Sequence, residues 1–221
     1  MRSLTRWHGK KRRIGLTGGI ATGKSSVGRH ISELGIAVLD ADLYSYEALV
    51  PGSDGARAVL NRYGALVENP TDSTQDTTTS QSTINRKALG SIVFNNPDER
   101  EWLESLIHPQ VRQRFEEALA EHADSETVVL MIPLLFEAGF TDLCTEIWVV
   151  HCLPEQQLER LQKRDQLDEA AAMERIAAQW PLEQKQQLAD QLIDNSSDTE
   201  QWKKQIKQAL KRPKCTLKTP K

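Results

Sequence analysis

The sequence predicts an α/β protein: a parallel sheet of about five strands with helices on both faces, plus a helical lobe and a helical lid. Three observations carry this. Short apolar runs at residues 14–17, 36–40, 127–132, 146–150 and 191–193 are separated by helical stretches, the pattern of strands buried on both faces. The first run ends in a glycine-rich turn that leads straight into a helix. The chain has 221 residues, 38% hydrophobic and 27% charged, which is enough for one domain with a buried core and argues against wholesale disorder.

The elements follow in order. Residues 14–17 form a short apolar strand, and 24–34 a helix stopped by Gly35. The run 36–40 (IAVLD) ends in acid. Segments 54–63 and 86–94 read as helices, and 97–107 as another with proline in its first turn. Residues 109–122 read as a separate helix, with Val111, Phe115 and Leu119 four apart on one face. TVVLMI (127–132) and EIWVV (146–150) are buried strands by composition. Helices at 154–164 and 168–179 each begin at a cap-like or first-turn residue. A short strand at 191–193 and a helix at 200–211 close the series. The stretch 153–189 has few bulky apolar residues, chiefly Leu158, Leu161, Ile176 and Trp180, as suits a mobile lid.

Composition excludes several classes. The longest apolar run, residues 128–136, contains Pro133 and is far short of the roughly 18 residues a spanning helix needs. The basic N-terminus lacks an apolar stretch and a small-residue cleavage site, so no secretory signal is expected. Cys144, Cys152 and Cys215 are odd in number and have no CxxC spacing, which points to a reducing cytoplasm. The net charge of −3 hides an asymmetry. Residues 1–13 hold six bases and no acid, residues 203–221 hold eight and no acid, and the part between carries −17. An acidic body argues against general binding to a nucleic-acid backbone. The basic ends read as solvated, frayed tails, with contact to RNA or anionic lipid as the alternative. Residues 69–83, NPTDSTQDTTTSQST, lack any apolar anchor except Pro70 and read as a flexible surface insertion.

The strongest chemical signal is Gly18-Gly19-Ile20-Ala21-Thr22-Gly23-Lys24-Ser25, which matches G-x-x-x-x-G-K-[ST] at every fixed position. Glycines permit backbone conformations closed to other residues, so successive N–H groups can converge on one anion. The helix start adds partial positive charge. Lys24 reaches the β- and γ-phosphates, Ser25 offers a hydroxyl to Mg2+, and Ser26 is placed for the α-phosphate. The chain is therefore expected to bind a nucleoside triphosphate on a P-loop NTPase-type sheet. At the carboxyl end of the second strand stands Asp40-Ala41-Asp42, where ligands of open parallel sheets bind. One carboxylate there can accept the proton of an attacking hydroxyl, and either can hold a magnesium-bound water. A polar strand-end cap is the competing reading.

Several stretches together resemble the dephospho-CoA kinase family: IGLTGGIATGKSSV, ELGIAVLDADLYSYEALVPG, INRKALGSIVFNNPDEREWLESLIHPQVR (84–112), IPLLFEAG (132–139), LERLQKRD (158–165), RIAAQWPLEQK (175–185) and ADQLIDN (189–195). The likeness runs in order over about residues 13–210. It implies a P-loop kinase that moves the γ-phosphate of ATP to the ribose 3′-hydroxyl of dephospho-CoA. A single domain at 13–212 is implied, with a core at 13–42, 127–152 and 190–212, an acceptor lobe at 43–126 and a lid at 153–189. The basic extensions 1–12 and 213–221 lie outside it.

By the same resemblance Asp42 falls at the general-base position, residues 21–26 at the ATP phosphates, and Arg164 where an arginine meets the transferred phosphate. Arg160, one turn earlier, either assists or is a solvated charge. His108, in the His108-Pro109 pair, is either an acceptor contact or a helix-start residue. Asn195 ends a strand near the adenine. Glu137 ends another strand, either facing the acceptor or solvated in a loop. Three departures stand out: the polar insertion before Arg86, Tyr46 where the family often has an arginine, and the basic first dozen residues and tail, which exceed the family's core.

Rival readings are another small-molecule kinase, for nucleoside monophosphates or a sugar acid, and a regulatory NTP switch. No Asn-Lys-x-Asp stretch occurs, which counts against a guanine-reading switch. An RNA-associated ATPase, with the basic ends primary, is the third. No membrane or nucleic-acid partner is required by the kinase reading.

Overall fold

The computed structural model describes residues 5–69 and 83–212. Most of the polar insertion and the tail from residue 213, Cys215 included, lie outside the described residues. The chain divides into two compact units, residues 1–40 with 118–221, and residues 41–117.

The first unit is built on five parallel strands: β1 (Arg12–Gly18), β2 (Ala37–Asp40), β3 (Thr127–Met131), β4 (Glu146–His151) and β5 (Gln191–Asp194), in the order β2-β3-β1-β4-β5. β3 intervenes between β2 and β1, with Ile14 opposite Val129 and Leu39 opposite Leu130. The acid-tipped strand β2 is thus separated from the glycine-loop strand β1 by β3. One face of the sheet is covered by α1 (Lys24–Glu33) and by the last helix, α9 (Thr199–Lys211). Val27 and Ile31 of α1, and Trp202, Ile206 and Ala209 of α9, repeat at helical spacing and pack on Ile14, Leu16, Val129, Trp148 and Ile193. Each fully buried side chain contributes about 1.5–3 kcal/mol relative to exposure. The other face receives the β3–β4 connection, with buried Leu135, Phe140, Leu143 and Cys144. Burial pushes the Cys144 thiol up to about 12, so it acts as an apolar packing group.

Three of the N-terminal bases, Arg6, Arg12 and Arg13, are tied to the fold rather than frayed. Arg12 is buried, pairs with Glu146 at 2.5 Å, and donates to the carbonyls of Ala209 (2.9 Å) and Leu210 (2.8 Å) at the end of α9. Arg6 meets Asp190 at 3.1 Å, and the Arg13 guanidinium lies 3.7 Å above the Trp7 ring. A guanidinium fork can serve a carboxylate and orphan helix carbonyls together, whereas an ammonium cannot cover both directions. We expect Arg12→Lys to cost about 1–2 kcal/mol, lowering Tm by roughly 2–8 °C. A thermal melt checks it.

The second unit is helical: α2 (Ala41–Glu47), α3 (Asp54–Tyr63), α4 (Arg86–Asn95) and most of α5 (Pro97–Glu121). Ser53 and Asn85 cap α3 and α4 by accepting from Ala56 and Ala88. Tyr44 meets Phe115 edge-to-face at 4.9 Å, inside a core that includes Val59, Val67, Leu89 and Val111. The flanks of the insertion are paired: Glu68 bridges Ile84, and Asn69 N–H donates to the Thr83 carbonyl at 2.9 Å.

One expectation is corrected here. Residues 97–107 and 109–122 are one 25-residue helix, with Pro109 inside it. The proline removes one backbone bond, but the buried stripe Ile107, Val111, Phe115 runs on across it and keeps both halves helical. Asp40 ends β2 as expected, and Asp42 lies two residues on, in the first turn of α2, a helix not read from the sequence. A carboxylate is favourable there beside the positive end of the helix.

The segment expected to form a lid holds α6 (Pro154–Asp165), α7 (Glu169–Ala177) and α8 (Leu182–Gln187). The sequence reading did not separate α8. Leu161, Ala172 and Lys185 are its fully buried points.

Candidate active site

β1 runs out at Gly18, and α1 begins at Lys24. Between them Ala21 (φ 59°) and Gly23 (φ 97°) adopt left-handed backbone, the alternation that turns successive N–H groups into one concavity. Gly23 is required twice over. Its φ disfavours any side chain, and a Cβ there would sit 2.2 Å from the Asn195 amide nitrogen. The loop is braced from within by Thr22, whose hydroxyl donates to the Gly19 carbonyl at 2.9 Å. Asn195, just beyond β5, braces it from outside by donating to the Thr22 carbonyl at 2.8 Å. Its amide therefore supports the phosphate loop, a role the sequence did not signal. Lys24 is buried at the head of α1, and Ser25 and Ser26 are exposed in its first turn.

Two acids and a histidine stand elsewhere. Asp40 closes β2 and is half-buried, and Asp42 is exposed in α2. His108 is half-buried on α5, and burial holds its pKa below the ordinary value, with Glu104 pulling the other way. It is thus neutral at pH 7. Tyr46 carries the Arg86 guanidinium 3.9 Å above its ring, and Arg86 also donates to the Tyr46 carbonyl. An arginine therefore stands against Tyr46, supplied from α4.

The two arginines of α6 differ from each other. Arg160 donates to the Asn195 carbonyl at 3.1 Å and is half-buried, so it is no solvated charge. Arg164 is mostly exposed and makes a two-point contact with Asp165, at 2.7 and 3.0 Å. Arg175 meets the same carboxylate at 2.7 Å. The hydrogen bond from Arg164 leads the effects that hold the Asp165 carboxyl below its ordinary range, so the pair stays ionised through neutral pH.

Glu137, after β3, faces α8. It pairs with the fully buried Lys185 at 2.7 Å and accepts from the Trp180 N–H at 3.0 Å, while Trp180 stacks on Phe136. A cavity of about 600 Å³ opens beside the glycine loop, lined by Gly19, His151, Cys152, Gln157, Ile176, Gln179, Trp180 and Gln186 among others. Gln157, Gln179 and Lys185 were assigned no role from the sequence. Polar residues on helices read as solvated faces, and nothing local marks them as buried.

The dephospho-CoA kinase family model matches residues 12–201. The chain belongs to the dephospho-CoA kinase family. A dephospho-CoA kinase from Synechococcus sp. (strain CC9605) is 54% identical over 201 residues, covering 91% of this chain and 93% of the relative. One from Gloeobacter violaceus is 48% identical over 205 residues, covering 93% and 94%. Among solved structures, a crystal structure from Thermus thermophilus superposes with a TM-score of 0.76 at 27% identity, covering 91% and 97%. A dephospho-CoA kinase from Campylobacter jejuni gives 0.63 at 26%, covering 90% and 96%. The match begins at Arg12, the residue that ties the N-terminal segment to α9, so the basic extension before it lies outside the family core.

Proposed function

We propose that this protein transfers the γ-phosphate of ATP to the 3′-hydroxyl of the dephospho-CoA ribose, giving coenzyme A and ADP. The single observation that carries the reading is the pre-shaped anion nest at residues 18–25 in a chain whose family is dephospho-CoA kinase. The nest N–H groups and the α1 dipole hold the triphosphate. Lys24 neutralises charge shared by the β- and γ-phosphates. Asp42 accepts the proton of the 3′-hydroxyl as its oxygen bonds to the γ-phosphorus, and the bond from that phosphorus to the β–γ bridging oxygen breaks. ADP leaves, and the proton passes from Asp42 to solvent.

Phosphoryl transfer has a loose transition state, so positioning outweighs basicity, and a carboxylate of ordinary pKa suffices. Arg164 is the lid group for the transferred phosphate. Its exposed fork exchanges the neighbouring Asp165 for equatorial phosphoryl oxygens as charge develops. His108, held neutral, and Asp40 are assigned to the acceptor side. Glu137, tied to Lys185 and Trp180, is assigned to anchoring the lid, and Arg160 with Asn195 to bracing the nest.

The residues also fit a magnesium ion. Ser25 presents an exposed hydroxyl in the first turn of α1, and no three His, Cys, Asp or Glu side chains gather as a metal cage among the described residues. One protein hydroxyl completed by phosphate oxygens and water is what Mg2+ prefers. When bound, the ion would be held on the protein side by Ser25 and would supply charge neutralisation to the triphosphate. We place the reaction in a reducing cytoplasm, supported by two buried free thiols, Cys144 and Cys152. No helix among the described residues is long and apolar enough to cross a membrane.

The deciding experiment incubates the protein with ATP, Mg2+ and dephospho-CoA and maps the product phosphate by phosphorus NMR. Transfer to the 3′ position is expected. Preferred transfer to a nucleoside monophosphate or a sugar acid, or ADP release indifferent to any acceptor, overturns the proposal. Arg164→Ala is expected to lower kcat by about 10²–10³-fold with the ATP KM moving far less, which steady-state kinetics will check.

A further inference from the structure

Ile20 is the third residue of the glycine loop, and both its backbone groups are taken by lid side chains. The Gln157 amide nitrogen, on α6, donates to the Ile20 carbonyl at 2.9 Å. The Ile20 N–H donates to the Gln179 side-chain oxygen at 3.0 Å, just past α7. Gln157 is buried, with 6% of its surface exposed, so this is a built contact rather than a surface encounter. A second observation agrees. A Cβ on Gly19 would lie 2.6 Å from the Gln157 amide nitrogen, so the glycine makes room for that amide. Since the φ of Gly19 is not positive, clearance rather than backbone strain is what the position needs.

We propose that Gln157 and Gln179 are positioning residues that clamp Ile20 and thereby couple the lid helices to the shape of the phosphate nest. The proposal rests on the nest holding the ATP triphosphate. Primary amides suit the task. Each offers both a donor and an acceptor without charge, so one can satisfy a backbone carbonyl and the other a backbone N–H beside a polyanion. A carboxylate at 157 has no proton to donate. A carboxylate at 179 keeps the accepting oxygen but sets a negative charge near the triphosphate. Lid closure that moves α6 or α7 must then carry Ile20 along or break these bonds, so the nest senses where the lid is.

The test uses the full chain with Gln157→Ala, Gln179→Ala, Gln179→Glu and the double Gln157→Ala/Gln179→Ala. Steady-state kinetics and exchange of the Ile20 amide are followed together. In Gln179→Ala the Ile20 amide is expected to exchange faster while core amides keep their protection. Each alanine variant is expected to raise the ATP KM by about 3–10-fold, the value of one buried hydrogen bond, with the dephospho-CoA KM held within about 2-fold. The double variant is expected to add little to either single, because both contacts hold one residue. Gln179→Glu is expected to keep the Ile20 amide protected yet raise the ATP KM further. An unchanged ATP KM and kcat in both alanine variants overturns the coupling. So does equal loss for both substrates with lowered core protection, since that is general destabilisation. Lys24→Ala serves as the control: if it leaves ATP binding intact, the nest assignment itself has failed, not the clamp.

Discussion

Asp42→Asn is expected to lower kcat by about 10²–10⁴-fold while ATP still binds with a KM within about 3-fold of the parent. The amide keeps the size of the carboxylate and can still accept a hydrogen bond from the ribose hydroxyl, but it cannot take the proton. Asp42 is exposed in the first turn of α2 and asparagine keeps its size, so the thermal melt should be nearly unmoved. That combination, a lost chemical step on an intact fold, separates a base from a structural cap. A single-turnover measurement with saturating ATP reads the step directly. Full activity in the variant removes Asp42 from the proton-accepting role and shifts attention to Asp40.

The second large effect concerns stability. Lys185 is fully buried, and its ammonium lies 2.7 Å from Glu137. Glu137→Gln takes away the compensating charge and leaves the ammonium in a poorly solvated site. Removing one partner of a buried pair typically costs about 3–5 kcal/mol. For a chain of this size that lowers Tm by roughly 6–20 °C. The double variant Glu137→Leu/Lys185→Met is expected to recover most of the loss, because apolar residues of similar volume often replace a buried pair without penalty. The rescued variant also tests what Glu137 is for. If it anchors the lid, the dephospho-CoA KM stays within about 3-fold of the parent. A KM raised well beyond that in a folded, thermally restored protein returns the carboxylate to an acceptor contact.

The glycine loop and the helix after it were legible, because Gly23 and Lys24 stand at fixed spacing and the chemistry is local. Four strands were legible within one residue at each end, and β1 starts two residues earlier than read, at Arg12. Pro109 misled, since a proline argues locally for a break, and only the stripe of Ile107, Val111 and Phe115 buried in the second unit shows why the helix continues. Arg6 and Arg12 misled in the same way: a run of bases at a chain end reads as solvated until Asp190, Glu146 and the α9 carbonyls are seen to meet it.

What the sequence determined alone is the set of short-range instructions: the glycines that let a backbone curl around an anion, the apolar periods that make strands and helices, and the order of family stretches from residue 12 to 201. What the tertiary structure decided is which polar side chains are spent inside the protein. Gln157 and Gln179 on Ile20, Asn195 on Thr22, and Glu137 on Lys185 join residues 48 to 173 positions apart, with separations of 48 for the ion pair and 137 and 159 for the glutamines. No local pattern encodes such pairs. A donor or acceptor becomes costly to leave unmatched only after the fold has taken it out of water, and the partner it then finds is whichever group the packing of the sheet and helices has brought alongside.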